Sequence, residues 1–140
     1  MMFAMTNHAC PKVPDGDFIA VLGTWLLPAD KHSVAVARSS VVSVLHEHAV
    51  HSTDEVELVA DELVANAIVH AGTDLHVILE HWSTGFRIAV QDQSRALPEI
   101  QSPELLDESG RGLVMIERIA HSWGHHSTDT GKCVWALVAA

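Results

Sequence analysis

Apolar residues recur along this chain in two periods, and the changes between them mark its elements. Phe18 to Leu27 is almost wholly apolar or small, a strand pattern that Pro28 ends. Val34, Val41, Leu45 and Ala49 then fall at helical spacing and predict a helix from about Lys31 to His48. A second helix follows Ser52. Glu55 stands three residues after that serine, at capping-box spacing, and Gly72 is placed to stop the helix. The period then drops to two. Leu75, Val77 and Leu79 alternate, Ser83-Thr84-Gly85 turns the chain, and Phe86, Ile88 and Val90 alternate again. Gln93 to Ser109 carries Pro98 and Pro103 and no period, which predicts a functional or mobile loop. A helix from about Arg111 to Ala120 and a short strand from Trp123 to Ser127 come next. The last strand, Lys132 to Val138, sets Val134, Ala136 and Val138 against Cys133, Trp135 and Leu137.

Strands joined by hairpins, with helices outside strict alternation, predict a two-layer α/β sandwich. Its sheet would be mixed and mostly antiparallel, with helices on one face. Residues 1–16 hold two prolines, a glycine and mixed polar residues and read as a loose leader. Residues 17–140 read as one domain, large enough to bury a core.

The helix after Ser52 carries the chemistry. Glu62, Asn66 and His70 are spaced by four, so they share one face. Most other positions are apolar: Val56, Leu58, Val59, Leu63, Val64, Ala65, Ala67, Ile68 and Val69. A helix apolar on most sides is buried on most sides, and polar groups set into it need partners. A ligand carrying anionic groups and a cation would supply them. An Asn carbonyl oxygen suits Mg²⁺, which takes one or two protein oxygens beside substrate phosphates. Glu62, one turn earlier, is placed to accept a proton from an attacking hydroxyl or water. His70 lies near the helix end, where a cation is favoured in any case. Asp92 ends a strand, where a buried carboxylate suits an exocyclic amine and a turn residue is equally natural. Gly110-Arg111-Gly112-Leu113 precedes a helix and offers backbone N–H groups to phosphate. Gly131-Lys132 fits a ligand-facing turn or a plain hairpin.

Charge and composition narrow the options. A net charge of −10 argues against direct nucleic-acid binding, though not against a nucleotide held by backbone groups and a metal. No apolar run reaches membrane-spanning length. The two cysteines, Cys10 and Cys133, form no CxxC, so a reducing cytoplasm is expected and Cys133 reads as a small core residue. His46, His48 and His51 miss the zinc-protease pattern by one residue, since Val50 stands four after His46.

In chain order these residues resemble the ATP-binding domain of gyrase, heat-shock chaperones, histidine kinases and mismatch-repair proteins, the GHKL or Bergerat fold. Glu62 to Ala71 looks like its N box and Asp92-Gln93-Ser94 stands at the first glycine box. Gly110 to Leu113 looks like the second glycine box, and Gly131 to Trp135 like the final segment. Ser94 and Ala96 stand where the first box normally has glycines, and Lys132 where threonine is usual. With no space for a dimerisation helix pair or a transducer domain, the chain resembles the stand-alone branch of bacterial anti-sigma factors that are also serine protein kinases. That resemblance implies ATP and Mg²⁺ as cofactors, a sigma factor and an anti-anti-sigma antagonist as partners, and a homodimer. It implies Asn66 as the Mg²⁺ ligand, Glu62 as catalytic base and Asp92 as the adenine reader. His70, Gly110, Arg111, Gly112, Leu113 and Gly131 would complete the nucleotide site. A nucleotide-gated binding switch without catalysis, and an α/β domain whose polar stripe is structural, are the competing readings.

Overall fold

The computed structural model describes residues 16–93 and 108–139, with the side chains of residues 108–113 excepted. In chain order the elements are β1 (Phe18–Leu27), α1 (His32–Glu47), α2 (Asp54–Ala71), β2 (Leu75–Trp82), β3 (Gly85–Asp92), α3 (Glu108–Ile119), β4 (Ser122–Ser127) and β5 (Lys132–Ala139). The five strands form one antiparallel sheet in the order β1-β2-β3-β5-β4. Consecutive strands β2 and β3 pair across the two-residue Ser83-Thr84 turn, and β5 enters between β3 and β4. The result is a two-layer α/β sandwich.

Strand parity builds the main core. Val77 and Leu79 of β2, Phe86, Ile88 and Val90 of β3, and Val134, Ala136 and Val138 of β5 face the helix layer. They meet Ala37, Val41 and Leu45 of α1, Val56, Val59, Ala60, Leu63, Val64 and Ala67 of α2, and Ile116 of α3. Burying such side chains stabilises the fold by about 1.5–3 kcal/mol each.

Four local expectations are corrected. Thr53, not Ser52, is the N-cap of α2, and its hydroxyl donates to Glu57 Oε2 at 2.7 Å while accepting from no backbone N–H of the first turn. Ala49 is off the buried face of α1: the helix stops at Glu47, and Ala49 takes a left-handed turn at φ 61°. Val69 is 59% exposed, so α2 is buried on fewer sides near its end. Helix α3 starts at Glu108, so Gly110 and Gly112 lie within its first turns and not ahead of it. Gly72 terminates α2 as expected, in the left-handed region at φ 65°. The loop after Gln93 and the leader up to Asp15 lie outside the described residues.

Candidate functional site

Helix α2 sets the site because its polar stripe crosses a packed surface. Asn66 is only 2% exposed among the apolar residues that pack α2 onto the sheet. Its side-chain carbonyl oxygen, Oδ1, is buried and has no hydrogen-bond partner among the described residues. An unpaired buried amide oxygen costs about 1–3 kcal/mol, so the fold tolerates it only where something else repays the loss. A hard cation with its phosphates is the chemistry such an oxygen suits. Glu62, one turn earlier, is half-buried, and His70, one turn later, is exposed. The stripe therefore runs from partial burial through full burial to solvent.

The end of α2 is tied to the end of β3. After Gly72 reverses the chain, Thr73 Oγ1 accepts a hydrogen bond from the Gln93 backbone N–H at 3.0 Å. Asp92, immediately before, sits on the helix side of the sheet at the parity of Val90 and Ile88. It is buried, and its Oδ2 accepts from Lys132 Nζ at 2.8 Å. Lys132 is the cross-strand partner of Asp92 and is itself fully buried. This ion pair is the feature that sequence reading missed. The signal was present: Lys132 shares parity with Val134 and Ala136, and an inward-pointing lysine demands a carboxylate.

Gly131 belongs to the same corner. A β-carbon there would collide with the carbonyl oxygen of Asp92 and with Gln93 Cα. The turn holding Gly131 is closed twice, by Gly131 N–H to Thr128 Oγ1 at 2.9 Å and by Thr128 N–H to the Gly131 carbonyl at 2.8 Å. Gly131 thus permits the main chain of β5 to pass directly under that of Asp92. On the described residues its part is to set the position of Asp92.

The structure therefore brings Asp92, Lys132 and Gly131 together beside the end of α2. Gly110, Arg111, Gly112 and Leu113 lie in the first turns of α3, which packs against α2. The histidine cluster remains two surface rings, His46 and His51, 5.8 Å apart between centres. Among the described residues no three or more His, Cys, Asp or Glu gather as a metal set. Cys133 is a buried core residue as expected, but it is disulfide-bonded, which the sequence did not suggest. No described helix is long and apolar enough to cross a membrane.

Comparison with known families matches residues 27–138 to the histidine kinase-like ATPase domain. The match runs from Leu27, the last residue of β1, to Val138, the penultimate residue of β5, and includes every candidate site residue. A comparison with curated proteins found no match.

Proposed function

The chain belongs to the histidine kinase-like ATPase domain family, an ATP-binding family, and on that premise we propose that it is an anti-sigma regulatory factor with serine kinase activity. In this reading it sequesters a sigma factor and phosphorylates a serine of an anti-anti-sigma antagonist. The observation that carries the nucleotide part is Asn66 Oδ1, buried and without a partner among the described residues on a helix whose other buried residues are all apolar.

Asn66 would hold Mg²⁺, which when bound offsets the negative charge of the phosphates. Asp92 would accept a hydrogen bond from the exocyclic amine of adenine, with Lys132 Nζ holding the carboxylate in place at Oδ2. The first turns of α3, at Gly110, Arg111, Gly112 and Leu113, would offer backbone N–H groups to the phosphates. Gly131 would hold Asp92 in place, and His70 would stand at the rim. Glu62 would take the proton of the incoming serine hydroxyl. The serine oxygen then bonds to the γ-phosphorus, the bond to the bridging oxygen breaks, and ADP leaves.

Glu62→Gln tests the reaction and not the fold, since it keeps shape and loses the base. General-base catalysis contributes about 10²–10⁴-fold, so the variant should bind ATP as the parent does and transfer phosphate at least about a hundredfold more slowly. Normal transfer by the variant removes Glu62 from the role. A second reading, a nucleotide-gated switch without transfer, is favoured by Ser94 and Ala96 in place of the first-box glycines. That reading prevails if the parent binds ATP and a sigma factor but labels no antagonist serine.

A further inference from the structure

Lys132 carries more hydrogen-bonding capacity than Asp92 uses. A lysine head group has three N–H donors. Lys132 is 0% exposed, and among the described residues its Nζ makes one hydrogen bond, to Asp92 Oδ2. Two buried donors are left over, and buried donors without acceptors are costly.

The other buried ion pair of the sheet is furnished differently. Glu80 and Arg87, cross-strand partners on the face turned away from the helices, meet at 2.7 Å. Trp82 Nε1–H donates to the same Glu80 oxygen at 2.8 Å. The Arg87 guanidinium carbon lies 5.0 Å from the Trp82 ring centre and 5.6 Å from that of Trp135, so two rings accompany that cation. Lys132 has no ring over it among the described residues. Stability alone gives no reason for such a lysine, since apolar side chains of similar volume serve a fold as well as a buried ion pair or better.

Its place in the fold supplies a reason. Asp92 is the last residue of β3 and Lys132 the first of β5. Gln93, the next residue, is exposed, and its N–H is tied to Thr73 just after α2. The pair lies at the rim of the sandwich, on the helix side, one residue from solvent. A carboxylate has about four lone-pair sites, so accepting from Lys132 does not exclude accepting from a base as well. Asp92 and Lys132 therefore form an acceptor and a donor side by side. An adenine offers the complement: its exocyclic amine donates, and the ring nitrogens flanking it, N1 and N7, accept.

Resting on the nucleotide reading above, we propose that Lys132 is a base-reading residue, its Nζ donating to the ring nitrogen beside the amine that Asp92 accepts. The order of the two groups decides which purine fits. A guanine in the same pose sets O6 against Asp92, acceptor to acceptor. On its N1 side it also sets N1–H against Lys132, donor to donor. A threonine hydroxyl donates or accepts, but Nζ only donates. With Lys132 where threonine is usual, the site is committed to adenine.

Titration calorimetry of the full chain with ATP, 1-deaza-ATP, 7-deaza-ATP and GTP, each with Mg²⁺, tests this. Replacing by C–H the ring nitrogen that Lys132 meets removes a hydrogen bond from a charged donor. One deaza analogue should therefore bind about tenfold to a hundredfold more weakly than ATP, and the other about as well as ATP. GTP should bind at least about a hundredfold more weakly. Equal affinity for ATP and both deaza analogues overturns the proposal and leaves ATP binding intact. Binding of none of the four overturns the nucleotide reading and the proposal with it. Lys132→Met, checked for folding by far-UV circular dichroism, separates base reading from the anchoring of Asp92. In the variant the preference for ATP over the affected analogue should fall to about twofold or less. A loosened Asp92 alone would weaken both nucleotides and keep their ratio, and that result contradicts the proposal. If the variant does not fold, ATP labelled with ¹⁵N in the base is bound to the parent instead. The N1 or the N7 resonance should move upfield, as that of a hydrogen-bond acceptor does, and movement of neither contradicts the contact.

Discussion

Removing one member of the Asp92–Lys132 pair should be among the most damaging single changes available outside the apolar core. The pair is fully buried, at 2.8 Å, and lies across adjacent strands. At an effective dielectric of about 20, charges at that separation attract by about 6 kcal/mol, most of which offsets their desolvation. Lys132→Met leaves a buried carboxylate without its cation, and Asp92→Leu leaves a buried ammonium without its anion. Each should cost about 3–5 kcal/mol. Combined, the two substitutions replace an ion pair by apolar side chains of similar volume, and the loss should shrink to about 0–2 kcal/mol. The double-mutant cycle therefore predicts a coupling of at least about 4 kcal/mol. Urea denaturation followed by circular dichroism measures it. With a slope of about 1–3 kcal/mol per molar, each single variant should lower the midpoint by about 2 M, and the double variant should recover most of it. Single losses below about 1 kcal/mol, or a double variant that simply sums them, would refute the claim that both charges are desolvated and mutually dependent.

Other expected outcomes are independent of that pair. Ala49→Gly should stabilise the chain by about 0.5–1 kcal/mol, because φ 61° strains an L residue and suits glycine; an unchanged or lower urea midpoint contradicts the strain. Burial, then the Arg87 charge and His125, hold the His126 pKa below its ordinary 6.5, and both of its ring nitrogens are buried with no hydrogen-bond partner among the described residues. The unfolded chain therefore binds that proton more readily, so stability is full above about pH 6.5 and falls as the pH drops below it. His126→Gln should flatten the decline in urea midpoint between about pH 7.5 and about pH 5, and an unaltered slope would assign the decline to other groups such as His76.

The sequence made the elements legible because its periods are clean. Phe18 to Leu27 is a strand to the residue, and the helix limits fall within a few positions of their expected places. The helix caps were less readable. Ser52 and Thr53 are adjacent cap formers, and only the packing of Thr53 beneath Glu57 separates them. Ala49 has a side chain apolar enough to suit the buried face, and nothing in its type announces a left-handed turn. Asn66 was legible as a site residue from its neighbours, and its burial and unpaired oxygen follow from the same apolar surroundings. The Asp92–Lys132 pair was not, since it depends on which residues of β3 and β5 stand opposite each other, 40 positions apart in sequence. The buried Glu80–Arg87 pair escaped for a related reason, since only the β2–β3 register sets the two against each other, with the Trp82 and Trp135 rings beside Arg87.

The central claim is that Asn66 is the metal-holding residue of an ATP site on α2, and titration calorimetry addresses it most directly. ATP is added to the parent and to Asn66→Ala, each with Mg²⁺ and with the metal chelated. The parent should bind ATP with Mg²⁺ and lose affinity on chelation. The variant should bind at least about tenfold more weakly, a loss of about 1.4 kcal/mol, and should be largely indifferent to the metal. Equal affinity in parent and variant, with the same dependence on Mg²⁺, would place the metal elsewhere and contradict the account.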